Sequence, residues 1–177
     1  MNFISNFNWR PTLSGIALSL LLATGCAQRH NTLSEQEIAD GWELLFDGKT
    51  LDAWKDYNGD SLTMPWRAVD GCIQAHGDGS DLSGYIVTRK QYENFILDWD
   101  WKLSYGGNSG MLYHVVEDPY FKVPYVTGPE YQLIDEAGWE ETNAPTKLEP
   151  WQRLGVDYAM HLPDAAKMRL NPQGEWN

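Results

Sequence analysis

The sequence predicts an all-β protein, a sandwich or barrel of short antiparallel strands, on three observations. Short β-prone runs are separated by Asp-Gly turns from Trp42 onward, one segment alternates apolar and charged residues over nine positions, and very little of the chain has helical periodicity.

In chain order, Ser34 followed by Glu37 has the spacing of a capping box, and Gly41 is placed to end one or two helical turns. The runs WELLF, WRAV, CIQAH and YIVT follow, with turns at Asp47-Gly48, Asp70-Gly71 and Gly77 to Gly79. The clearest strand is 95–103, FILDWDWKL. Phe95, Leu97, Trp99, Trp101 and Leu103 alternate there with Ile96, Asp98, Asp100 and Lys102, giving one apolar face and one mostly charged face. Two more strands are expected at 110–116, entered through the glycine-rich turn of residues 106–110, and at 130–134. In the second, Glu130 and Gln132 share a face while Tyr131 and Leu133 point the other way. That face is either part of a polar groove or a solvated exterior. From Asp135 to Gly174 the alternation is lost, prolines recur, and an irregular connection is expected.

The N-terminal residues have one base, Arg10, and no acid before the apolar run of residues 13–23, which is too short to cross a bilayer. Small residues then precede Cys26. This resembles the lipobox of bacterial lipoproteins, which implies a signal peptide over 1–25, lipidation of Cys26, and a tether and short helix over 26–41. Acyl chains at Cys26 would anchor the protein in a membrane. Ala27, rather than Asp, after the cysteine implies an exported lipoprotein of the outer membrane, facing the periplasm or the cell surface.

The remainder, 42–177, is one domain's worth of chain. Thirteen Lys and Arg against 25 Asp and Glu give a formal charge of −12, which disfavours nucleic acid as a partner. With Cys26 committed to lipid, Cys72 has no partner for an internal disulfide, and no CxxC or dense His/Cys cluster suggests structural zinc. Nine tryptophans and nine tyrosines suit either sugar faces or a core.

The segments LLFDGKTLDAW (44–54), Trp66 to Gly71 (W-x-x-x-D-G), YIVTRKQYENFILDWDWKLSYGGNSGMLYHV (85–115), GPEYQLIDEAG (128–138) and the final GEWN occur in the order in which the 3-keto-disaccharide hydrolase family carries them. The resemblance covers nearly all of 42–177. It implies a jelly-roll β-sandwich of the concanavalin-lectin and glucanase kind. In that family further strands follow GEWN, so the chain is expected to lack C-terminal strands.

The resemblance also implies an activity, the cleavage of glycosides oxidised to a ketone at C3, and hence coupling to a sugar 3-oxidoreductase that makes the ketone. The ketone acidifies the C2 hydrogen. A base removes it, the resulting enolate expels the C1 substituent, and water adds back. Such a site needs a base near C2, a donor near the ketone oxygen and an acid near the leaving oxygen. Glu130 is the first candidate for the base, against a role as a sheet-surface ion pair, with Gln132 to orient hydroxyls. Asn108 and Ser109 lie where backbone N–H groups would approach a ligand oxygen, or where the turn merely needs its glycines. His114 is an acid, a base, a metal ligand or a structural strand histidine. Lys102 would polarise the ketone or keep an edge soluble. Trp139 would stack on a sugar. Asp135, with Glu136, would hold a divalent metal such as calcium through oxygen, or cap a loop. The alternative to the enzyme is a non-catalytic carbohydrate-binding module on the same fold. An ordinary glucanase is disfavoured by the lack of an E-x-D-x-x-E strand.

Overall fold

The structure, a computed structural model, describes residues 30–63, 65–75 and 84–177. The signal peptide and Cys26 expected from the sequence lie outside the described residues, as does the turn at 77–79. No helix among the described residues is long and apolar enough to cross a membrane.

The all-β expectation holds. Among the described residues, six short strands form three two-stranded antiparallel sheets: β1 (Trp54–Asp56) with β4 (Ile86–Thr88), β2 (Trp66–Val69) with β3 (Cys72–Ala75), and β5 (Asn108–Leu112) with β6 (Glu130–Ile134). The expected short helix is α1 (Glu35–Ala39). Its capping box is complete: Glu37 N donates to Ser34 Oγ at 3.2 Å, and Ser34 N donates to Glu37 Oε2 at 2.7 Å. Asp70 and Gly71 join β2 to β3 as a two-residue hairpin, pairing Val69 with Cys72, and both have positive φ (50° and 75°). This is the backbone that Asp-Gly provides most readily.

Three expectations need correction. WELLF forms no ladder; instead the Leu45 carbonyl accepts the Trp54 indole N–H at 2.7 Å, and Trp54 opens β1, a strand too short to leave a pattern in the sequence. Residues 95–103 keep their alternation, with Leu97, Trp99, Trp101 and Leu103 half-buried and the residues between them exposed, but they form no assigned strand. Trp101 is backbone-paired there, by reciprocal N–H···O bonds with Asn177 at 2.8 and 2.9 Å. The region after Asp135 is more regular than expected. It contains α2 (Glu136–Thr142) and a 3-10 turn, Pro150–Gln152.

Sheet β5–β6 carries the core and is extended by residues 155–158. Gln132 N donates to the Val156 carbonyl at 2.9 Å and Tyr158 N to the Glu130 carbonyl at 2.8 Å, on either side of a bridge between Tyr131 and Asp157. Because side chains alternate across a strand, one face holds Asn108, Gly110, Leu112, Glu130, Gln132, Ile134, Val156 and Tyr158. The other holds Ser109, Met111, Tyr131 and Leu133, and it meets the aromatic side of 95–103 through an edge-to-face contact of Tyr131 with Trp99, centroids 5.6 Å apart. Phe95, Leu97, Trp99, Met111, Tyr113 and Tyr131 line a wholly apolar hollow on that side.

Helix α2 fixes the approach of 147–158 to β6. Glu136 and Glu140 lie one turn apart and both take Arg153, at 2.5 and 3.4 Å, while Arg153 also donates to the Leu148 carbonyl at 3.1 Å. Glu136 Oε1 accepts the Leu154 N–H, and Glu140 Oε1 that of Leu148, both at 3.1 Å. Glu136 and Glu140 thus pin the segment that carries Trp151 and Tyr158.

Candidate active site

The face with Glu130 is closed at one end and open at the other. Ile134, Gln132 and Val156 are buried, whereas Glu130 is half-buried between Leu112, its partner on β5, and Tyr158, its neighbour on the added strand. The Glu130 side chain lies across Gly110. A Cβ built on Gly110 would come within 2.6 Å of Glu130 Cδ and 2.7 Å of its Cγ, so the glycine is what leaves room for the carboxylate. Among the described residues that carboxylate has no hydrogen bond and no ion pair, and burial pushes its pKa above the usual carboxylate value. The sheet-surface ion pair that the sequence allowed is therefore not formed. A half-buried carboxylate with a raised pKa and no partner is the combination expected of a general base or acid.

Gln132 is on the same face but only 4 % exposed, and its Nε2 donates to the Gln152 carbonyl at 3.2 Å. Its amide holds the 150–152 turn against the sheet. Gln152 in turn donates from Nε2 to the Tyr158 hydroxyl at 3.1 Å, and the Tyr158 backbone is the cross-strand neighbour of Glu130. Tyr158 was not singled out from the sequence. The signal available was the pairing of GVDY with β6, and residues 155–158 are too short to announce a strand.

Asn108 and Ser109 belong to β5 rather than to the turn before it. Only Asn108 shares the face of Glu130; Ser109 is on the opposite one. His114 follows β5 with a left-handed backbone, φ 53°, and its ring lies against Phe95 and Tyr113, centroids 5.6 and 5.7 Å away, on the apolar side of the sheet. Lys102 is exposed on the side of 95–103 turned away from Trp99, and its ammonium sits 4.8 Å from the centroid of Trp176. The sheet therefore separates Glu130 from both His114 and Lys102. Trp139 is in α2, not in a loop, and is half-buried.

Asp135 stands at the N-cap position of α2. Its Oδ2 accepts the Gly106 N–H at 2.8 Å and so ties the glycine-rich turn to the helix. Glu136 faces Arg153 instead of converging with it. Among the described residues no three His, Cys, Asp or Glu side chains come together as a metal's ligands would, and Asp135 with Glu136 does not supply the oxygen-rich donor set that calcium takes. No step of the chemistry is assigned to a metal.

A second polar pair lies past Tyr158. Asp157 and His161 exchange both backbone hydrogen bonds across a tight turn, and their side chains meet at 2.9 Å between Oδ2 and Nδ1. The Tyr113 phenol is pushed up in pKa by burial and then by the facing Asp157 carboxylate.

The comparisons with known proteins agree with this architecture. Residues 41–177 match the family described as the 3-keto-alpha-glucoside-1,2-lyase-like domain. A curated protein of Bacteroides thetaiotaomicron named 3-keto-disaccharide hydrolase is 31% identical over 152 residues, covering 78% of this chain and 51% of that protein. The chain thus spans about half the length of that curated relative. A crystal structure from Parabacteroides distasonis ATCC 8503, provisionally described as a glycosyl hydrolase, superposes with a TM-score of 0.69 at 44% identity, over 84% of this chain and 66% of that one. The match over 41–177, with the relative's identity across most of the chain, means that this protein belongs to the 3-keto-alpha-glucoside-1,2-lyase-like domain family.

Proposed function

We propose that the protein cleaves glycosides already oxidised to a ketone at C3 of the sugar, with Glu130 as the base. The observation that carries this reading is the half-buried, unpartnered Glu130 carboxylate laid over Gly110, its basicity raised by burial. Glu130 takes the proton from C2 and the electron pair of that C–H bond passes into the ketone as an enolate. The enolate's electrons then return, the C1–O bond breaks, and the departing alkoxide collects a proton. Water adds to C1 of the resulting enone while C2 regains a proton, which completes a net hydrolysis. Tyr158, the cross-strand neighbour of Glu130, is the donor we assign to the enolate oxygen, since its hydroxyl accepts from Gln152 and so keeps its own hydrogen to give. A base of raised pKa shares more of the proton in the transition state than an ordinary carboxylate would.

The substrate's ketone has to come from an enzyme that oxidises sugars at C3, so the protein would act after such an oxidoreductase. We further propose export as a lipoprotein anchored through Cys26, which would place the domain at the outer membrane, where sugars arrive. A binding module on the same fold would hold oxidised and unoxidised sugars alike, and nothing in such a role calls for a half-buried carboxylate without a partner among the described residues.

The test is to incubate the purified protein with 3-keto-trehalose and, separately, with trehalose. Release of 3-ketoglucose from the oxidised sugar alone is the expected result. Binding of both without turnover refutes the catalytic reading.

A further inference from the structure

Each end of the Gln152 side-chain amide has a partner. Its Oε1 accepts the Glu149 N–H at 3.0 Å, and its Nε2 donates to the Tyr158 hydroxyl at 3.1 Å. We infer that Gln152 is a positioning residue: the sense of these two bonds makes the Tyr158 oxygen an acceptor on the protein side, so that the phenol meets a substrate as a hydrogen-bond donor. The inference rests on the reading of Glu130 as the base and of Tyr158 as the donor to the enolate oxygen.

The backbone decides which end of the amide faces which partner. The N–H of Glu149 can only donate, so the atom facing it is Oε1 and the NH2 group is left for Tyr158. A flipped amide would set two donors against each other at Glu149. At Tyr158 the amide nitrogen has no lone pair to offer, so the hydroxyl accepts and its own hydrogen lies elsewhere.

Both partners are held before any substrate arrives. Gln152 closes the 3-10 turn Pro150–Gln152, whose first φ is set by Pro150. Its backbone N–H donates to the Glu149 carbonyl at 3.0 Å, and its carbonyl accepts Nε2 of Gln132, only 4 % exposed, at 3.2 Å. The Tyr158 N–H donates to the Glu130 carbonyl at 2.8 Å, and its ring meets Trp151 edge-to-face, centroids 5.3 Å apart. The bonds therefore run from buried Gln132 through Gln152 to Tyr158, and the strand that carries Glu130 also orients its donor. A donor fixed in this way needs no reorganisation as the enolate forms.

Gln152→Glu tests the sense of the bond while keeping the size of the side chain. One carboxylate oxygen can still accept from Glu149, but the other can only accept from Tyr158, which draws the phenol's hydrogen away from the enolate. With 3-keto-trehalose as substrate, kcat is expected to fall about 100-fold, the loss of one oxyanion donor, with KM within about threefold of the parent. Tyr158→Phe is expected to lower kcat by a similar factor. The double variant should fall no further, because Gln152 acts through Tyr158. Two results overturn the inference: a Gln152→Glu variant that keeps the parental kcat, or a loss that adds in full to that of Tyr158→Phe, as a role in the turn alone would give.

If the parent does not cleave 3-keto-trehalose, the chemistry at Glu130 fails by itself. In that case, or if Gln152→Glu does not fold, NMR of the Gln152 side-chain NH2 group in the parent and in Tyr158→Phe decides the positioning. Hydrogen exchange at least about fivefold faster in Tyr158→Phe supports donation from Gln152 to the hydroxyl, and equal exchange in the two proteins overturns it.

Discussion

Replacing Gly110 by alanine separates the position of Glu130 from the stability of the fold. The added Cβ would lie 2.6 Å from Glu130 Cδ and 2.7 Å from Cγ, where ordinary contact begins at 3.4 Å, so the carboxylate must withdraw by about 1 Å or change rotamer. Glu130 is the flexible end of a half-buried side chain, and the backbone at Gly110 is not left-handed. The rotamer change costs about 0.5–1.5 kcal/mol. Loss of glycine's freedom in the unfolded chain returns about 0.4–1 kcal/mol. Stability should therefore move by less than about 1 kcal/mol, a shift of a few degrees in thermal midpoint. Activity should suffer far more, because a misplacement of about 1 Å costs on the order of 100-fold, or about 2.7 kcal/mol of barrier. The assay is kcat/KM on a 3-keto-glycoside together with a melting curve. A variant that keeps its midpoint and retains kcat/KM within threefold of the parent would refute the idea that Gly110 exists to seat the carboxylate.

Three further outcomes are expected. Because burial raises the Glu130 pKa and only the carboxylate form can take the C2 proton, kcat/KM should fall as pH drops through a value above the ordinary carboxylate range; a profile flat down to that range would argue against Glu130 as the base. The same raised pKa means that the charged form is disfavoured in the folded state. Stability linked to Glu130 is fully present below its unfolded pKa and is lost as pH rises through the folded one, so Glu130→Gln should be more stable than the parent at neutral pH, with the gap closing in acid; equal denaturant midpoints at pH 7 would contradict this. Gly138→Ala should destabilise by roughly 1–3 kcal/mol in a urea titration, since its Cβ would lie 2.5 Å from Gly106 N and 3.0 Å from Gly106 Cα, where backbone has to yield, and an unchanged midpoint would show that the turn and α2 are not tightly docked.

The parts of this protein legible in its sequence are those where local chemistry decides the structure. The Ser34–Glu37 box, the Asp70-Gly71 hairpin and the strand Glu130–Ile134 are set by residues within a few positions of one another. Segment 95–103 was legible in its faces but not in its pairing, because alternation records which side is buried and not which strand lies alongside. Helix α2 was not legible. Its seven residues include Gly138 and too few apolar positions to mark a period, and its acidic face is explained by Arg153, eleven residues beyond its last turn. At the site, Glu130 could be chosen from its motif, whereas its separation from Lys102 and His114, and its proximity to Tyr158, depend on strand order and register.

The central claim is that Glu130 removes the C2 proton before the C1–O bond breaks. The direct measurement is cleavage of a 3-keto-glycoside in deuterium oxide, with NMR of the 3-ketoglucose released at early times, before the free ketone exchanges unaided. Deuterium at C2 of the product from the parent protein, and neither cleavage nor deuterium with a folded Glu130→Gln variant, is the predicted result; a product that keeps its original C2 hydrogen, or a variant that cleaves at the parental rate, would contradict it.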